Sequence, residues 1–230
     1  MANTLSHISN IYWIVIEDSV SIVPAVHRIL RRSSIPFTYM AYPSPENYPN
    51  RGWFQRTMAL KYIRKKYRRK GNGVVYFGDD DNTYDLRLFN KYIRKVNKIG
   101  MWGVGHVGGS LVESPKVINQ KVVGFNAEWK PNRYFAIDMA GFAVHLRVIL
   151  NSDAVFSGSC PSGAGALESC LLEDLGLRRE DVEPFGFEKK EEKEVLVWHT
   201  KTVVPDVWDL RRNFWKREKT PKTNGYFVEY

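Results

Sequence analysis

Residues 74–89 read VVYFGDDDNTYDLRLF, and the fold turns on how this stretch is read. An apolar run at 74–77 stops at Gly78 and continues into three successive aspartates, Asp79, Asp80 and Asp81. A short apolar run that ends in polar residues is the pattern of a strand buried on both faces of a parallel sheet. Residues 11–16 (IYWIVI) run the same way into Glu17 and Asp18, and residues 37–42 (FTYMAY) form a third such run. Helical patterns lie between and after them, at 22–30, at 86–96, and at 54–67, where Phe54, Met58 and Tyr62 recur at i, i+4 spacing. This alternation predicts an α/β sheet with helices on both faces.

Ligands of open α/β sheets sit beyond the carboxyl ends of the strands. Glu17, Asp18 and the aspartate triplet therefore share one rim. Three adjacent carboxylates repel one another, and a hard divalent cation bridging to phosphate oxygens relieves that repulsion. On spacing alone, a solvated acidic turn opening the next helix is an equal reading.

From residue 101 the texture changes. MWGVGHVGG and KVVGFNAEW, rich in glycine and aromatics, predict antiparallel strands. FAIDMAGFAVHLRVIL runs from a strand or loop into a helix, a further helix fits 166–176, and VLVWHT at 195–200 is a late strand. KKEEK at 189–193 reads as a charged loop, and the tail from 214 to 230 shows no clear period. With no repeat and no linker, one domain with two halves is expected, about 1–100 and about 101–203, followed by a tail.

The 230 residues are 43% hydrophobic and 26% charged, enough to bury a core. The net charge of +9 favours anionic partners, and KYIRKKYRRK at 61–70 carries much of it. That run reads as a solvated helix face; no familiar nucleic-acid-binding motif accompanies it. Cys160 and Cys170 form neither a zinc pattern nor a disulfide framework, which leaves the redox compartment open. No apolar run reaches the roughly 20 residues of a membrane span, and the first residues lack the plan of a signal peptide.

VVYFGDDDNTYDLRLF resembles the metal-binding segment of the animal β1,3-glucuronyltransferases, whose nucleotide-sugar fold is of the GT-A type. The likeness continues in family order through WIVIEDS (13–19), RGWFQRTMALKYIR (51–64), FAIDMAGFAVHLRVIL (135–150), LESCLLEDLG (167–176) and VLVWHTKT (195–202). The resemblance spans about residues 2 to 202. It implies a GT-A sheet, Rossmann-like with helices on both faces, continuous with a mixed-sheet acceptor half.

The same resemblance implies roles. Asp81 would bind Mn²⁺, which bridges the diphosphate of UDP-glucuronic acid, while Asp79 and Asp80 hold the ribose and support the metal. Asp18 would meet the uracil edge. Arg51 and Arg56 would approach the nucleotide and the glucuronate carboxylate, a task suited to a planar guanidinium. His199 and Lys201 would lie against the diphosphate. Glu168 matches the general base that takes the proton of the galactose 3-hydroxyl in an inverting displacement. Glu113, Arg133 and Asp138 match acceptor-binding positions, with Trp129 or Phe135 as a platform for a sugar face, although core packing suits Phe135 better.

Departures from the family pattern fall at SGAGALES, where Leu167 replaces a polar neighbour of the base, and at Lys201, where the family has Arg. The resemblance begins after the family's first strand, whose tyrosine stacks on uracil, and after its cytoplasmic tail, membrane anchor and stem, so these are expected to be missing from the 230 residues. In the family that strand lies between the counterparts of 11–16 and 74–77. These two strands are therefore expected not to pair but to flank a vacant lane, about 9–10 Å apart. Each unpaired buried backbone group along it would cost on the order of 1–3 kcal/mol, making the chain marginal.

The expected partners are UDP-glucuronic acid, a galactose-terminated glycan or proteoglycan acceptor, and a second copy of the chain. No nucleic acid is expected, and the setting is the lumen of the Golgi apparatus. Whether the acceptor is a proteoglycan linkage region or an N-acetyllactosamine-type glycan stays open. A rival reading, metal-dependent phosphoryl transfer on nucleic acid, accounts for the charge and the triplet but not for Glu168, His199 or the ordered segments. A third is a non-catalytic, shortened form of such an enzyme.

Overall fold

The computed structural model describes residues 1–46, 48, 52–67, 71–157, 160–161, 166–188 and 193–200, with the backbone of 206–209 and 214–217. After a first helical turn, α1 (Ala2–Leu5), the chain alternates as its pattern predicts: β1 (Trp13–Glu17), α2 (Pro24–Arg32), β2 (Phe37–Ala41), α3 (Trp53–Tyr67) and β3 (Val74–Tyr76). Pro24 opens α2 at a position with no intrahelical N–H to lose, and Arg31 and Arg32 lie in its last turn, where the helix dipole favours cations.

α3 begins after Gly52, whose φ of +71° suits only glycine. A Cβ there would also stand 3.0 Å from the Arg56 guanidinium, so the bare glycine lets Arg56 fold back over the helix start. Trp53, Gln55, Thr57, Leu60 and Ile63 are the buried face of α3. The basic run at its end is not uniformly solvated. Arg64 donates to the carbonyls of Ile149 and Ala154 at 3.0 and 2.6 Å, and Lys66 sits 3.4 Å over the Tyr12 ring.

The second half supplies most of the sheet. Its elements are β4 (Asn82–Tyr84), β5 (Ile99–Met101), β6 (Val104–Val107), β7 (Ser110–Ile118), β8 (Lys121–Asn126), β9 (Phe142–His145), α4 (Leu146–Leu150), α5 (Leu167–Asp174), β10 (Val182–Pro184) and β11 (Val197–His199). One sheet runs β10-β5-β9-β3 and another β4-β11-β6-β7-β8. Of the segments expected as antiparallel strands after residue 101, MWGVGHVGG holds β6 and KVVGFNAEW holds β8; both pair antiparallel with β7, which the pattern did not single out.

Residues 86–96, expected as a regular amphipathic helix, instead wind through a π-helical turn (Leu88–Tyr92) and a 3-10 turn (Ile93–Lys95). The apolar face is the expected one: Leu88, Phe89, Tyr92, Ile93 and Val96 are all buried. The rings of Tyr92 and Trp102 (6.0 Å) and of Tyr84 and Phe89 (6.0 Å) pack at tilted angles, and the widened turn accommodates this bulk.

β1 pairs with β2 in parallel, from Trp13↔Phe37 to Glu17↔Ala41, and with no other described strand. β3 pairs with β9. β1 and β3 are therefore not ladder partners, as expected, and among the described residues no strand pairs with both. Both belong to one layer nonetheless. Ile14 and Val75 pack against a core cluster built on α3, α4 and α5, while Trp13, Val74 and Tyr76 pack against a second cluster that includes α1 and the π turn. Alternate residues of both strands thus face the same two cores, with helices on each side, as expected. All residues of β1, β2 and β3 are only half-buried, whereas β5 and β9 are buried throughout.

By its internal contacts the chain forms two units, Met1–His199 and Thr200–Tyr230. The second contains β12 (Asp206–Asp209) and β13 (Phe214–Arg217), an antiparallel pair in register Asp206↔Arg217 to Asp209↔Phe214. The tail's pattern did not predict these strands. Among the described residues, no helix is long and apolar enough to cross a membrane.

Candidate functional site

The aspartate triplet follows β3, and β4 begins immediately after it. β4 pairs antiparallel with β11, which sets His199 opposite Asn82 and so brings the late WHT segment beside the triplet. His199 Nε2 lies 3.2 Å from Asp138 Oδ1. That hydrogen bond, reinforced by the nearby carboxylates of Asp81 and Asp79, raises the histidine's pKa against the opposing effect of burial. Asp138 is fixed in turn, because the same Oδ1 accepts the N–H of Ala140 at 2.9 Å and caps the 3-10 turn Met139–Gly141.

The three aspartates part company. Asp79 turns inward to an ion pair with Arg56, and Tyr84 donates to its carbonyl oxygen at 2.6 Å. Burial raises the Asp79 pKa despite Arg56, and Asp138 and Asp81 add to the rise. Asp80 and Asp81 are exposed. Asp18 is engaged elsewhere on the rim, its two oxygens accepting the N–H and hydroxyl of Ser44 at 2.6 and 2.7 Å. Arg51 and Lys201 lie outside the described residues.

Glu168 stands in the first turn of α5, as its sequence position predicts. Burial pushes its pKa up to about 7, with Asp138 adding to the rise, while backbone N–H support, Arg133 and Arg56 oppose it. Glu113, on β7, is also raised to about 7, again chiefly by burial. Arg133 reaches between the two, 3.6 Å from Glu113 Oε2 and 3.9 Å from Glu168 Oε2. Glu113 Oε1 and Glu168 Oε2 have no hydrogen-bond partner, so each glutamate has an acceptor to spare.

Arg133 is locked by donating to the carbonyls of Lys130 and Trp129 at 3.3 and 3.2 Å, with its guanidinium 4.8 Å over the Trp129 ring. Gly108, at φ +59°, leaves room for this corner: a Cβ there would stand 3.3 Å from both Glu113 Oε2 and Trp129 Cβ. Trp129 is partly exposed, with the Lys130 ammonium as well as the Arg133 guanidinium over its ring, whereas Phe135 is fully buried in the core.

Two features escaped the sequence reading. Ser169, fully buried beside the candidate base, accepts the N–H of Phe135 at 3.0 Å and donates to Glu173 Oε1 at 2.7 Å, clamping α5 to the segment that carries Arg133 and Asp138. A buried polar residue next to a candidate base was the available signal. Cys160 and Cys170 form a disulfide, which corrects the expectation that they make no framework.

Among the described residues no three His, Cys, Asp or Glu side chains form a ready-made metal cage. The donor set fits another arrangement, in which one exposed carboxylate, Asp81, shares a hard divalent cation with phosphate oxygens. Such a cation would also relieve the mutual repulsion of Asp79, Asp81 and Asp138 recorded in the raised pKa of Asp79.

A carboxylate rim at the ends of α/β strands, beside a buried carboxyl, stands on a mixed α/β sheet that accords with the GT-A fold. The model of glycosyltransferase family 43 matches residues 1–203, and the chain belongs to that family. It is 44% identical over 217 residues to galactosylgalactosylxylosylprotein 3-beta-glucuronosyltransferase sqv-8 of Caenorhabditis elegans, covering 89% of this chain and 59% of the relative. To galactosylgalactosylxylosylprotein 3-beta-glucuronosyltransferase 1 of Homo sapiens it is 39% identical over 218 residues, covering 89% and 64%. To the human protein named 3-beta-glucuronosyltransferase 2 in the same series it is 41% identical over 211 residues, covering 88% and 63%. The chain thus spans about three fifths of the length of the curated relatives it matches.

Proposed function

We propose that this chain transfers glucuronic acid from UDP-glucuronic acid to the 3-hydroxyl of a terminal galactose, with inversion. The observation that carries the reading is the Glu168 carboxyl, buried, raised to about 7 and holding an oxygen with no hydrogen-bond partner. A base poised near neutral pH accepts a proton readily and keeps a useful ionised fraction. As the acceptor oxygen bonds to the anomeric carbon and the bond to the diphosphate breaks, the hydroxyl proton passes to Glu168. Arg133 and Glu113, which lie against each other beside Glu168, offer the acceptor hydrogen bonds, and Trp129 offers it an aromatic ring. Arg56, held by Asp79, brings cationic charge to the donor side.

Mn²⁺ is the proposed metal, with Asp81 as its protein ligand; when bound, it supplies Lewis-acid stabilisation to the departing diphosphate. The names of the relatives support a galactosylgalactosylxylosyl-protein acceptor. The disulfide accords with work in an oxidising compartment such as the Golgi lumen. Assembly as a homodimer is part of the same proposal.

The test is turnover of UDP-glucuronic acid against a galactosyl-galactose and an N-acetyllactosamine acceptor, with and without Mn²⁺. Metal-dependent formation of a β1,3-linked product on the first acceptor is expected. Absence of transfer to either acceptor, with UDP bound and Mn²⁺ present, would overturn the assignment.

A further inference from the structure

The Cys160–Cys170 bond closes a ring of chain that contains Glu168, with Cys170 next but one to it on α5. Cys160 Sγ rests 3.4 Å from the carbonyl oxygen of Ala166, the residue at the mouth of the helix. Ala166 makes no side-chain cap to the first N–H groups of α5, the bond that usually secures a first turn. The helix has eight residues, a length at which helicity depends on anchors outside the helix rather than on propensity.

Two other anchors hold the helix. Ser169, next to Glu168, clamps the first turn to Phe135. At the far end, Gly176 at φ +72° and Leu177 return N–H bonds to Glu173 and Leu172 at 2.8 and 3.1 Å. The disulfide adds to the Ser169 clamp at the start: it holds Cys170, and its other sulfur, that of Cys160, lies against Ala166 at the helix mouth.

We infer that the Cys160–Cys170 disulfide is a positioning element for Glu168, keeping the first turn of α5 wound and the carboxyl inside its buried cluster, so that the reduced protein keeps its fold and loses turnover. The inference rests on Glu168 being the base. The groups facing Glu168 are Arg133, Arg56, Asp138 and Glu113, together with backbone N–H support. Once the first turn loosens, the carboxyl gains water, and the burial that dominates its rise is relieved. Reduction by dithiothreitol breaks the S–S bond and delivers two electrons and two protons, leaving the thiols of Cys160 and Cys170 and the cyclic disulfide of the reagent.

The experiment compares oxidised protein, dithiothreitol-reduced protein and the Cys160→Ser and Cys160→Ser/Cys170→Ser variants, with disulfide state read by mass after alkylation. Expected is a fall in kcat on the order of 10²-fold, an unchanged KM for UDP-glucuronic acid, an acid limb displaced to lower pH, and faster amide exchange at residues 167–170. Cys160→Ser leaves the helix sequence intact and decides the matter where the double variant fails to fold. Full turnover with an unmoved acid limb in fully reduced protein overturns the inference, and so does loss of the global fold on reduction. A Glu168→Gln control separates the two readings. If that variant is active, the base assignment falls and the inference with it; if it is inactive while reduced protein is fully active, only the inference falls.

Discussion

Glu113 and Glu168 approach one guanidinium from two sides, with Arg133 3.6 Å from the first and 3.9 Å from the second. One cation cannot neutralise two buried carboxylates, and burial holds both near 7. Both therefore exchange protons near neutral pH, the range that the proposed base for a sugar hydroxyl requires.

Glu168→Gln is expected to cut turnover by about 10²-fold or more, the scale of general-base catalysis, with UDP affinity nearly unchanged. Steady-state kinetics beside calorimetric UDP binding checks this. An equal loss of UDP affinity would mean that Glu168 serves the nucleotide or the fold instead.

Rate and stability should move in opposite directions with pH. Transfer needs ionised Glu168, so kcat/KM should fall as pH drops below about 7. A glutamate whose pKa is 4.5 when unfolded and about 7 when folded binds its proton more tightly in the folded state. Its favourable contribution is present below 4.5 and is lost as pH rises through 7, by on the order of 3 kcal/mol for each group. Denaturant midpoints measured between about pH 5 and about pH 8 should slope less in Glu113→Gln than in the parent. Parallel curves would contradict this.

Arg133→Met leaves two buried carboxyls without their cation, so both pKa values should rise further and the acid limb of kcat/KM should move to higher pH. The fold should also lose stability at about pH 8, by about 3–5 kcal/mol. An unmoved limb would show that Arg133 does not act on the base.

Asp81→Asn removes a charged oxygen ligand without changing size. Turnover should nearly vanish at every Mn²⁺ concentration while the circular dichroism spectrum is retained. Near-normal activity at saturating Mn²⁺ would reassign the metal to another residue.

The strands and long helices were legible because each rests on local pattern. The apolar runs at 11–16, 37–42 and 74–77 mark β1, β2 and β3 within one or two residues, and the period of 54–67 marks α3. Packing settles what pattern leaves open. The face of 86–96 was readable, but the π turn answers to the rings of Tyr84, Tyr92 and Trp102, which come from separate segments. The site divides in the same way. Glu168 at a helix start and the aspartates at a strand end follow from order along the chain. The inward turn of Asp79 to Arg56, the use of Asp18 by Ser44, the clamp at Ser169 and the union of the two cysteines each depend on a partner distant in sequence or on the path of a loop.

The break between β1 and β3 has a mechanical consequence. Among the described residues no ladder crosses it, so the rim residue Asp18 and the triplet stand on opposite sides of a seam bridged by side-chain packing. A seam of this kind lets β1, α2 and β2 open as a sub-global unit, at a free energy below that of unfolding the buried strands β5 and β9. A nucleotide that touched both sides would act as a stitch across it. Binding would then be read most sensitively in slowed amide exchange of β1 and β2, and affinity would carry the cost of closing the seam.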